Sequence, residues 1–498
     1  MNTWMRMAPA ALALAAVLLA SPAPAENLSD VWFEATLAGA AMGYMHETAV
    51  SGEDGQVTTT LESDFTMRRG ADLVAVKGLD QWIESADGQP VSYRQTRKMA
   101  VATIELEVTV GSDRLRLRKS DGREATFSTV THDGDVMFPH AIEALHVSQG
   151  FVPGNEYSFR TFDPDFEEIT TYMVRVVGPE KLDVLGESRD VTRLVLTSDL
   201  YAGMEFIEWR SSDGSLWREE MPEIETARER TTSDAALRER EAADILAVST
   251  VPTNVAIRTP RGVDEALYEI WVEGEDISEF LNEDLRQRVE GSTERGVLLR
   301  VSREVPAPGT TIQFPVRSTP MKDYLDGNPM MQTWYPRLLG TAAKQVWGSE
   351  QDTWKGATQI ERWVFEAVED KGMGVAFASA REVLERMSGD CSEHAILMAA
   401  MTRAVAIPTK VVSGVVHSQG EFAYHMWVEV WTGEAWYALD PTIGSGSVDA
   451  THIKLAESAI PGGRVAELSL GILRVFNRLG IRVMEYTVGG ETVRTPSQ

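Results

Sequence analysis

Apolar and polar residues alternate with a period of two along most of the chain between residues 30 and 221. In the segment 103–110 every apolar side chain falls on one face, and Asp213-Gly214 marks a tight turn between two further alternating segments. Such alternation is typical of antiparallel strands that bury one face and expose the other to water, and short turns containing glycine join them as hairpins. Residues 26–230 are therefore predicted to form an antiparallel, half-barrel-like sheet domain.

The character of the sequence changes further along the chain. Residues 231–249 are charged and rich in alanine, which predicts a helical linker with Ser233 or Asp234 as its N-cap. Residues 250–320 carry short apolar segments broken by prolines, which predicts a small β-rich domain. From residue 321 to residue 498, helical periodicity is followed by strand-like segments, which predicts a domain of helices packed on a sheet.

The N-terminus has the pattern of a secretory signal peptide over residues 1–25. Arg6 supplies a positive charge, the residues from Ala8 to Ala20 are small or aliphatic, and Ala23-Pro24-Ala25 matches a cleavage site before Glu26. We therefore expect an extracytoplasmic, periplasmic protein with no membrane span after cleavage, because no later apolar stretch is long enough to cross a bilayer. The alternative is an uncleaved N-terminal anchor.

The chain is acidic and contains a single cysteine. Its 75 acidic and 47 basic residues give a net charge of −28, and such a surface repels phosphate backbones, so nucleic acid is not expected as a partner. One cysteine cannot form a disulfide within the chain. A chain of 498 residues can, however, bury a core large enough to fold without one.

The single cysteine lies at the predicted start of a helix. Asp390 is a suitable N-cap, and Glu393 three residues later completes a capping box, which leaves Cys391 in the first turn of a helix running to about Val405. Gly389 is predicted to take the left-handed position that ends the preceding helix. The partial positive charge of a helix N-terminus favours a thiolate over a thiol, so Cys391 is a candidate nucleophile.

A histidine and an aspartate follow on two predicted strands. If Thr432-Gly433 is a two-residue hairpin loop, His425 lies directly opposite Asp440. The carboxylate would then orient the imidazole, and the imidazole would act on the Cys391 thiol, as in a nucleophile, base and orienter arrangement. Taken singly, a buried cysteine is usually inert and a His–Asp pair on strands can be a core hydrogen bond, but their order, capping and register together favour catalysis.

Four segments between about Trp334 and Leu455 carry motifs in the same helix–strand–strand order: Gly389-Asp390-Cys391-Ser392-Glu393-His394-Ala395, Arg403-Ala404-Val405-Ala406-Ile407-Pro408, Tyr424-His425-Met426-Trp427-Val428-Glu429-Val430 and Trp436-Tyr437-Ala438-Leu439-Asp440-Pro441-Thr442. They resemble the transglutaminase-like superfamily, whose fold is related to that of papain-type cysteine proteases. The resemblance implies an α+β fold in which a helix carrying the cysteine packs on an antiparallel sheet, here preceded by antiparallel β-rich domains.

The same resemblance implies roles for three residues. Cys391 would be the nucleophile, His425 the general base and acid, and Asp440 the orienter. Ala406 stands where the family commonly has glycine, and Ile443 where an aromatic residue often follows; neither touches the chemistry. The N-terminal sheet region lies outside the resemblance.

A metal site is not expected, and neither is any other cofactor. His394 lies one helical turn from Cys391, but His417 and His452 fall in predicted loops and do not complete a zinc ligand set. We expect His394 to pack against or brace the helix. Tryptophans of the hairpin are predicted to form core and groove wall: Trp427, Trp431 and Trp436. Histidines without ligand spacing are predicted to be structural: His46, His132, His140 and His146.

Three functional hypotheses follow. The first is cysteine-dependent acyl transfer from a carboxamide of a protein or peptide substrate, through a thioester, to an amine or to water. The second is a peptidase or amidase that uses the same three residues with water as the only acceptor. The third is a non-catalytic binding or scaffold protein. The sequence does not distinguish the acceptors, and it leaves the oligomeric state open.

Overall fold

The computed structural model describes residues 26–69, 72–99, 102–201, 203–244, 250–279, 281–348, 351–370, 378–464, 468, 471–472 and 475–496. The predicted signal peptide lies outside them. The N-terminal part contains helix α1 (Pro139–Gln149) and strands β1 (Glu26–Leu37), β2 (Ala40–Ser51), β3 (Val57–Arg69), β4 (Asp72–Glu84), β5 (Pro90–Met99), β6 (Ala102–Val110), β7 (Arg114–Ser120), β8 (Ala125–Thr131), β9 (Glu156–Asp163), β10 (Glu168–Val184), β11 (Glu187–Ser198), β12 (Glu205–Arg210), β13 (Leu216–Met221) and β14 (Thr226–Thr231).

These strands form one large antiparallel sheet, in the order β8-β7-β6-β5-β4-β3-β2-β1-β14-β13-β12-β11-β10-β9. The antiparallel hairpins predicted from the alternating sequence pattern are confirmed, for example by the pairing of β6 with β7 and of β12 with β13. Phe162 of β9 shares a core cluster with Leu106 of β6 and Leu117 of β7. Because β9 and β7 lie near opposite ends of the strand order, the sheet curls on itself.

The predicted helical linker is wrong over most of its length. In residues 231–244, the part of this segment that the structure describes, one helical turn forms, α2 (Ser233–Ala236). Its N-cap is Thr232, whose hydroxyl accepts the N–H of Ala235 at 3.2 Å. Further on, β15 (Ala243–Asp244) pairs in parallel with β3, and Ala243 is buried. Short helices are marginal on their own, so burial against the sheet overrides the helical propensity of the alanines.

The described residues after Asp244 include two further sheets and a group of helices. The helices are α3 (Pro336–Gln345), α4 (Thr353–Ala367), α5 (Ala380–Arg386) and α6 (Cys391–Ala404), and the strands are β16 (Thr250–Val251), β17 (Val263–Val272), β18 (Gln287–Ser292), β19 (Val297–Ser302), β20 (Thr409–Ser418), β21 (Glu421–Trp431), β22 (Trp436–Leu439), β23 (His452–Ser458), β24 (Leu479–Val488) and β25 (Glu491–Arg494). None of the described helices is long and apolar enough to cross a membrane.

One of these sheets crosses the boundary predicted near residue 320. Its strand order is β18-β19-β17-β24-β25, so the C-terminal strands complete the sheet of the predicted small β-rich domain. The contact is close, since a Cβ on Gly480 of β24 would lie 2.0 Å from Cε2 of Trp271 on β17. Local patterns do not show which distant strands pair, and for this reason residues 250–320 and 321–498 do not separate as the sequence predicts.

The other sheet supports the candidate site. It has the order β16-β21-β20-β23, with β22 paired to β21, and all of these pairings are antiparallel. Helix α6 packs on β20 and β21 and belongs to the core cluster that also contains Leu338 of α3, Ile360 of α4 and Leu384 of α5. The predicted helix carrying the cysteine on an antiparallel sheet is therefore confirmed in outline.

Candidate active site

The helix that carries the cysteine begins as predicted. The side chain of Asp390 accepts the N–H of Ser392 at 2.8 Å, and the carboxylate of Glu393 accepts the N–H of Asp390 at 3.0 Å, which completes the capping box. Cys391 is the first residue of α6 and is partly exposed, whereas residues 392–403 are all buried. The thiol therefore lies at a partly exposed end of the helix, and the next twelve residues are buried.

The glycine before the cap is required by a close contact. A Cβ at Gly389 would lie 2.3 Å from Cβ of Glu393, so a side chain there would displace the capping carboxylate. The predicted role of Gly389 as the left-handed end of the preceding helix is wrong, because Met387, with φ of 55°, occupies that position.

The hairpin that carries the other two residues has a different register from the predicted one. The N–H of Thr432 donates to the carbonyl of Ala435 at 3.1 Å, so the two-residue loop is Gly433-Glu434, one residue later than predicted, with glycine in the first position, where such loops favour it. Each residue of β21 therefore faces a residue that lies two positions later in the chain than the predicted register gives. Because a displacement of two keeps side chains on the same face, His425 and Asp440 become diagonal neighbours within reach of each other.

The structure brings the three predicted residues together. Nε2 of His425 lies 2.8 Å from Oδ2 of Asp440, and the fully buried carboxylate also accepts the N–H of Thr442 at 2.8 Å through Oδ1. A carboxylate only accepts hydrogen bonds, so His425 donates from Nε2 and keeps Nδ1 for the thiol. Cys391 is a hydrogen-bond partner of this imidazole, and both its charge and this hydrogen bond raise the pKa of His425.

Burial and charge oppose each other at the imidazole and the carboxylate. Burial lowers the pKa of His425, but the charges of Asp440 and Cys391 and the hydrogen bonds to both outweigh burial and raise the pKa to about 9. Burial likewise raises the pKa of Asp440, but His425 and His452 hold it well below its ordinary value. The site therefore favours an imidazolium beside an ionised carboxylate.

This electrostatic balance gives a pH prediction. Iodoacetate is an anion and iodoacetamide is neutral, so the ratio of their rates of alkylation reports positive charge beside the sulfur, and with one cysteine in the chain only Cys391 reacts. The ratio should be high below pH 9 and fall as the pH rises through about 9. Because folding raises the pKa of His425, its imidazolium stabilises the folded protein fully below about pH 6.5. This stabilisation is lost as the pH rises toward about 9. A His425→Gln variant should give a low ratio that does not change with pH. A ratio that does not change with pH in the wild type would contradict a positively charged His425 beside the sulfur.

A second histidine, His452, was missed by the sequence analysis, which placed it in a loop. It begins β23 and is buried, and its Nε2 lies 3.1 Å from Oδ2 of Asp440. Ile453 and Leu455 alternate with polar residues after it, and this alternation was the available signal for a strand. The atoms of His425, Asp440 and His452 that could bind a metal ion all lie within 4.8 Å of one another. We interpret the group as hydrogen-bonded, because each imidazole can donate its Nε2–H to the same oxygen of the carboxylate.

Glu361 of α4 was also missed. Its carboxylate accepts the N–H of Gly446 at 3.1 Å and also that of Asp440, and so it holds the chain that leaves β22. Burial raises the pKa of Glu361 to about 8, and the neighbouring charge of Asp440 adds to this effect. Sequence spacing offers no signal for this contact, because 79 residues separate the two carboxylates along the chain.

The remaining predicted residues have structural positions. His394 is buried, and its Nδ1 lies 2.6 Å from the carbonyl oxygen of Asp390, so the predicted bracing role is confirmed. Trp427 is fully buried beside the imidazoles, with its ring 5.3 Å from that of His452, and forms core rather than an exposed wall. His417, predicted in a loop, lies on β20.

A family model matches the part of the chain that carries these residues. Residues 340–441, about one-fifth of the chain, match the core-domain model of the Transglutaminase-like superfamily. No curated protein matches the sequence. Similar solved structures include a candidate cysteine protease from Cytophaga hutchinsonii (15% identity over 48% of this chain and 88% of that chain, TM-score 0.30) and the periplasmic domain of TgpA from Pseudomonas aeruginosa bound to ethylmercury (17% identity, 37% and 92%, TM-score 0.22).

A third similar structure is a β-barrel-like protein from Brucella abortus (13% identity over 41% of this chain and 95% of that chain, TM-score 0.33). Structural likeness at these scores carries no argument about activity. The family match does not depend on it, and Cys391, His425 and Asp440 all fall within the matched residues. The chain therefore carries a transglutaminase-like domain at residues 340–441.

Proposed function

We propose that the protein is a cysteine-dependent acyltransferase that acts on carboxamide groups of a protein or peptide substrate. The observation that carries this proposal is the connected arrangement of three residues. Cys391 begins a capped helix, His425 is its hydrogen-bond partner, and the buried Asp440 holds His425 at 2.8 Å. Such an arrangement provides a nucleophile, a base and an orienter.

In the first half of the reaction, the sulfur of Cys391 attacks the carboxamide carbon. A C–S bond forms, the C–N bond breaks, and the imidazolium of His425 gives its proton to the leaving amine. N–H groups in the first turn of a helix have no intrahelical acceptor. The N–H of Ser392 is taken by Asp390, and we assign the N–H of Cys391 as a donor to the developing oxyanion.

In the second half, an acceptor attacks the thioester. His425 takes a proton from the acceptor, the new bond to carbon forms, and the sulfur leaves as a thiolate. An amine acceptor gives acyl transfer, whereas water gives hydrolysis and makes the protein a peptidase or amidase. Both outcomes use the same three residues, so the acceptor is a separate question from the nucleophile.

The test supplies the protein with a glutamine-containing protein mixture and a fluorescent primary amine. We expect fluorescence to enter the mixture with wild-type protein and not with the Cys391→Ala variant, because only the thiolate can form the thioester. New N-termini without incorporated amine would assign the peptidase reaction, and released ammonia without either would assign an amidase. If none of these products forms while Cys391 is readily alkylated, the acyltransferase proposal fails and a binding or scaffold role remains.

We also propose that the protein acts outside the cytoplasm. The signal pattern of residues 1–25 supports this, with Arg6, the apolar stretch from Ala8 to Ala20 and Ala23-Pro24-Ala25 before Glu26. N-terminal sequencing of the protein from a periplasmic fraction should begin at Glu26. A cytoplasmic protein that keeps its first 25 residues would contradict the proposal.

A further inference from the structure

Two imidazoles share one oxygen of the catalytic carboxylate. Oδ2 of Asp440 lies 2.8 Å from Nε2 of His425 and 3.1 Å from Nε2 of His452. Asp440 has no exposed surface and His452 has a side chain only 1% exposed. Because the ionised carboxylate only accepts, both rings must carry a proton on Nε2. His452 lies beyond residues 340–441, which match the family model.

The other side of His452 faces a second carboxylate. Its Nδ1 lies 3.4 Å from Oδ2 of Asp449, and the same oxygen lies 2.7 Å from Nη1 of Arg261. Oδ1 of Asp449 accepts the N–H of Thr451 at 2.8 Å. Acidic and basic groups therefore follow one another from the thiol to Arg261, just before β17, and Asp449 lies beside His452 without a hydrogen bond to its Nδ1.

The ring of His452 has little room to turn. Trp427 packs edge-on against it at 5.3 Å, with an interplanar angle of 85°. The guanidinium of Arg286 donates to the carbonyl oxygen of Asp449 at 3.0 Å, which fixes the backbone before the ring. The charged and titratable groups that face His452 or its carboxylate partner are Asp440, Asp449, His425, Arg261, Arg286, Cys391 and Glu361.

We propose that His452 is a positioning residue of the active site, whose Nε2–H holds Oδ2 of Asp440 in place for His425. This inference rests on the proposed function, since it assigns a further residue to the same three-residue site. With His425 as its only ring partner, the carboxylate would be held against rotation only by the N–H of Thr442 at Oδ1. Oδ2 would then be less well fixed, and the imidazole would lose part of its fixed direction toward the thiol. Misplacement of a catalytic group by about 1 Å can lower a rate on the order of 100-fold.

The first test compares two amides at position 452. In His452→Gln the amide nitrogen reaches the position of Nε2 and can still donate to Asp440. In His452→Asn it reaches only the position of Nδ1, near Asp449. We expect His452→Asn to slow alkylation of Cys391 by iodoacetamide at neutral pH, and to lower kcat about 10- to 100-fold with little change in KM. His452→Gln should recover most of both rates.

The second test combines each change with Asp440→Asn. If His452 acts through the carboxylate, His452→Asn should cost nothing further once Asp440 is replaced, because the group that it positions is already lost. A full additional loss in that background, or equal rates for the Gln and Asn variants, would overturn the proposal and leave a purely structural role. Asp449→Asn should reproduce the loss in smaller measure, and it keeps the test decisive if His452→Asn does not fold.

The alkylation readout separates this inference from the proposed function. If no carboxamide substrate turns over but the alkylation rates follow the predicted pattern, the acyltransfer proposal fails and the positioning role stands. If amine incorporation occurs normally in His452→Asn, the acyltransfer proposal stands and the positioning role fails.

Discussion

Replacing Asp440 with asparagine should lower turnover about 10⁴-fold while the protein stays folded, the size of the effect known for the corresponding change in a serine protease. The amide nitrogen of asparagine would donate toward Nε2 of His425, which now donates to the carboxylate at 2.8 Å. The imidazole would then place its proton on Nδ1, facing Cys391, and could no longer accept the proton of a thiol or of an acceptor amine. The loss should therefore appear in kcat, measured by amine incorporation.

Asp163 provides a matched control for this experiment. It is also a buried aspartate, it accepts from the hydroxyl of Tyr201 at 2.8 Å, and it lies in β9, outside the site. Asp163→Asn should leave turnover unchanged even if it lowers the stability of the sheet. If Asp440→Asn keeps wild-type turnover, Asp440 is not the orienter of His425.

Local interactions explain which parts of the site could be predicted. The cap at Asp390, the return of Glu393 and the position of Cys391 all depend on residues within four positions of one another, so sequence spacing specifies them. The pairing of His425 with Asp440 survived a wrong register because the error was two residues rather than one. Had the loop shifted the pairing by a single residue, the two side chains would lie on opposite faces of the sheet.

Long-range pairing explains what was missed. His452 reaches Asp440 only because β23 pairs with β20, and Glu361 reaches it only because α4 packs against the sheet. The C-terminal strand β24 joins β17 from more than 200 residues away. Each of these contacts joins elements that are far apart in the chain, and the local periodicity of the sequence does not show which distant elements pack together.

A buried cluster of charges holds the sheet behind the site together with the preceding segment. The ammonium of Lys454 lies 3.2 Å from the carboxylate of Glu429 and 2.8 Å from that of Glu457, and it also binds Asp284. Lys410 pairs with Glu429 at 3.0 Å. Lys454 and Glu429 are almost fully buried. Lys454 and Lys410 therefore neutralise carboxylates that are largely shielded from solvent.

Removing one cation from this cluster should be strongly destabilising. We expect Lys454→Met, which keeps the length of the side chain, to lower the free energy of unfolding by about 3–5 kcal/mol, the size expected when a buried ion pair loses one partner. The change removes the cation that binds Asp284 and leaves the buried carboxylate of Glu429 with Lys410 as its remaining cation. The measurement is chemical denaturation followed by tryptophan fluorescence. Lys181→Met is the matched control, since the Lys181–Asp190 pair is largely exposed and such pairs contribute little. Equal midpoints for Lys454→Met and Lys181→Met would show that the buried cluster does not hold these elements together, whereas a large loss confined to Lys454→Met would show that the sheet behind His425 depends on it.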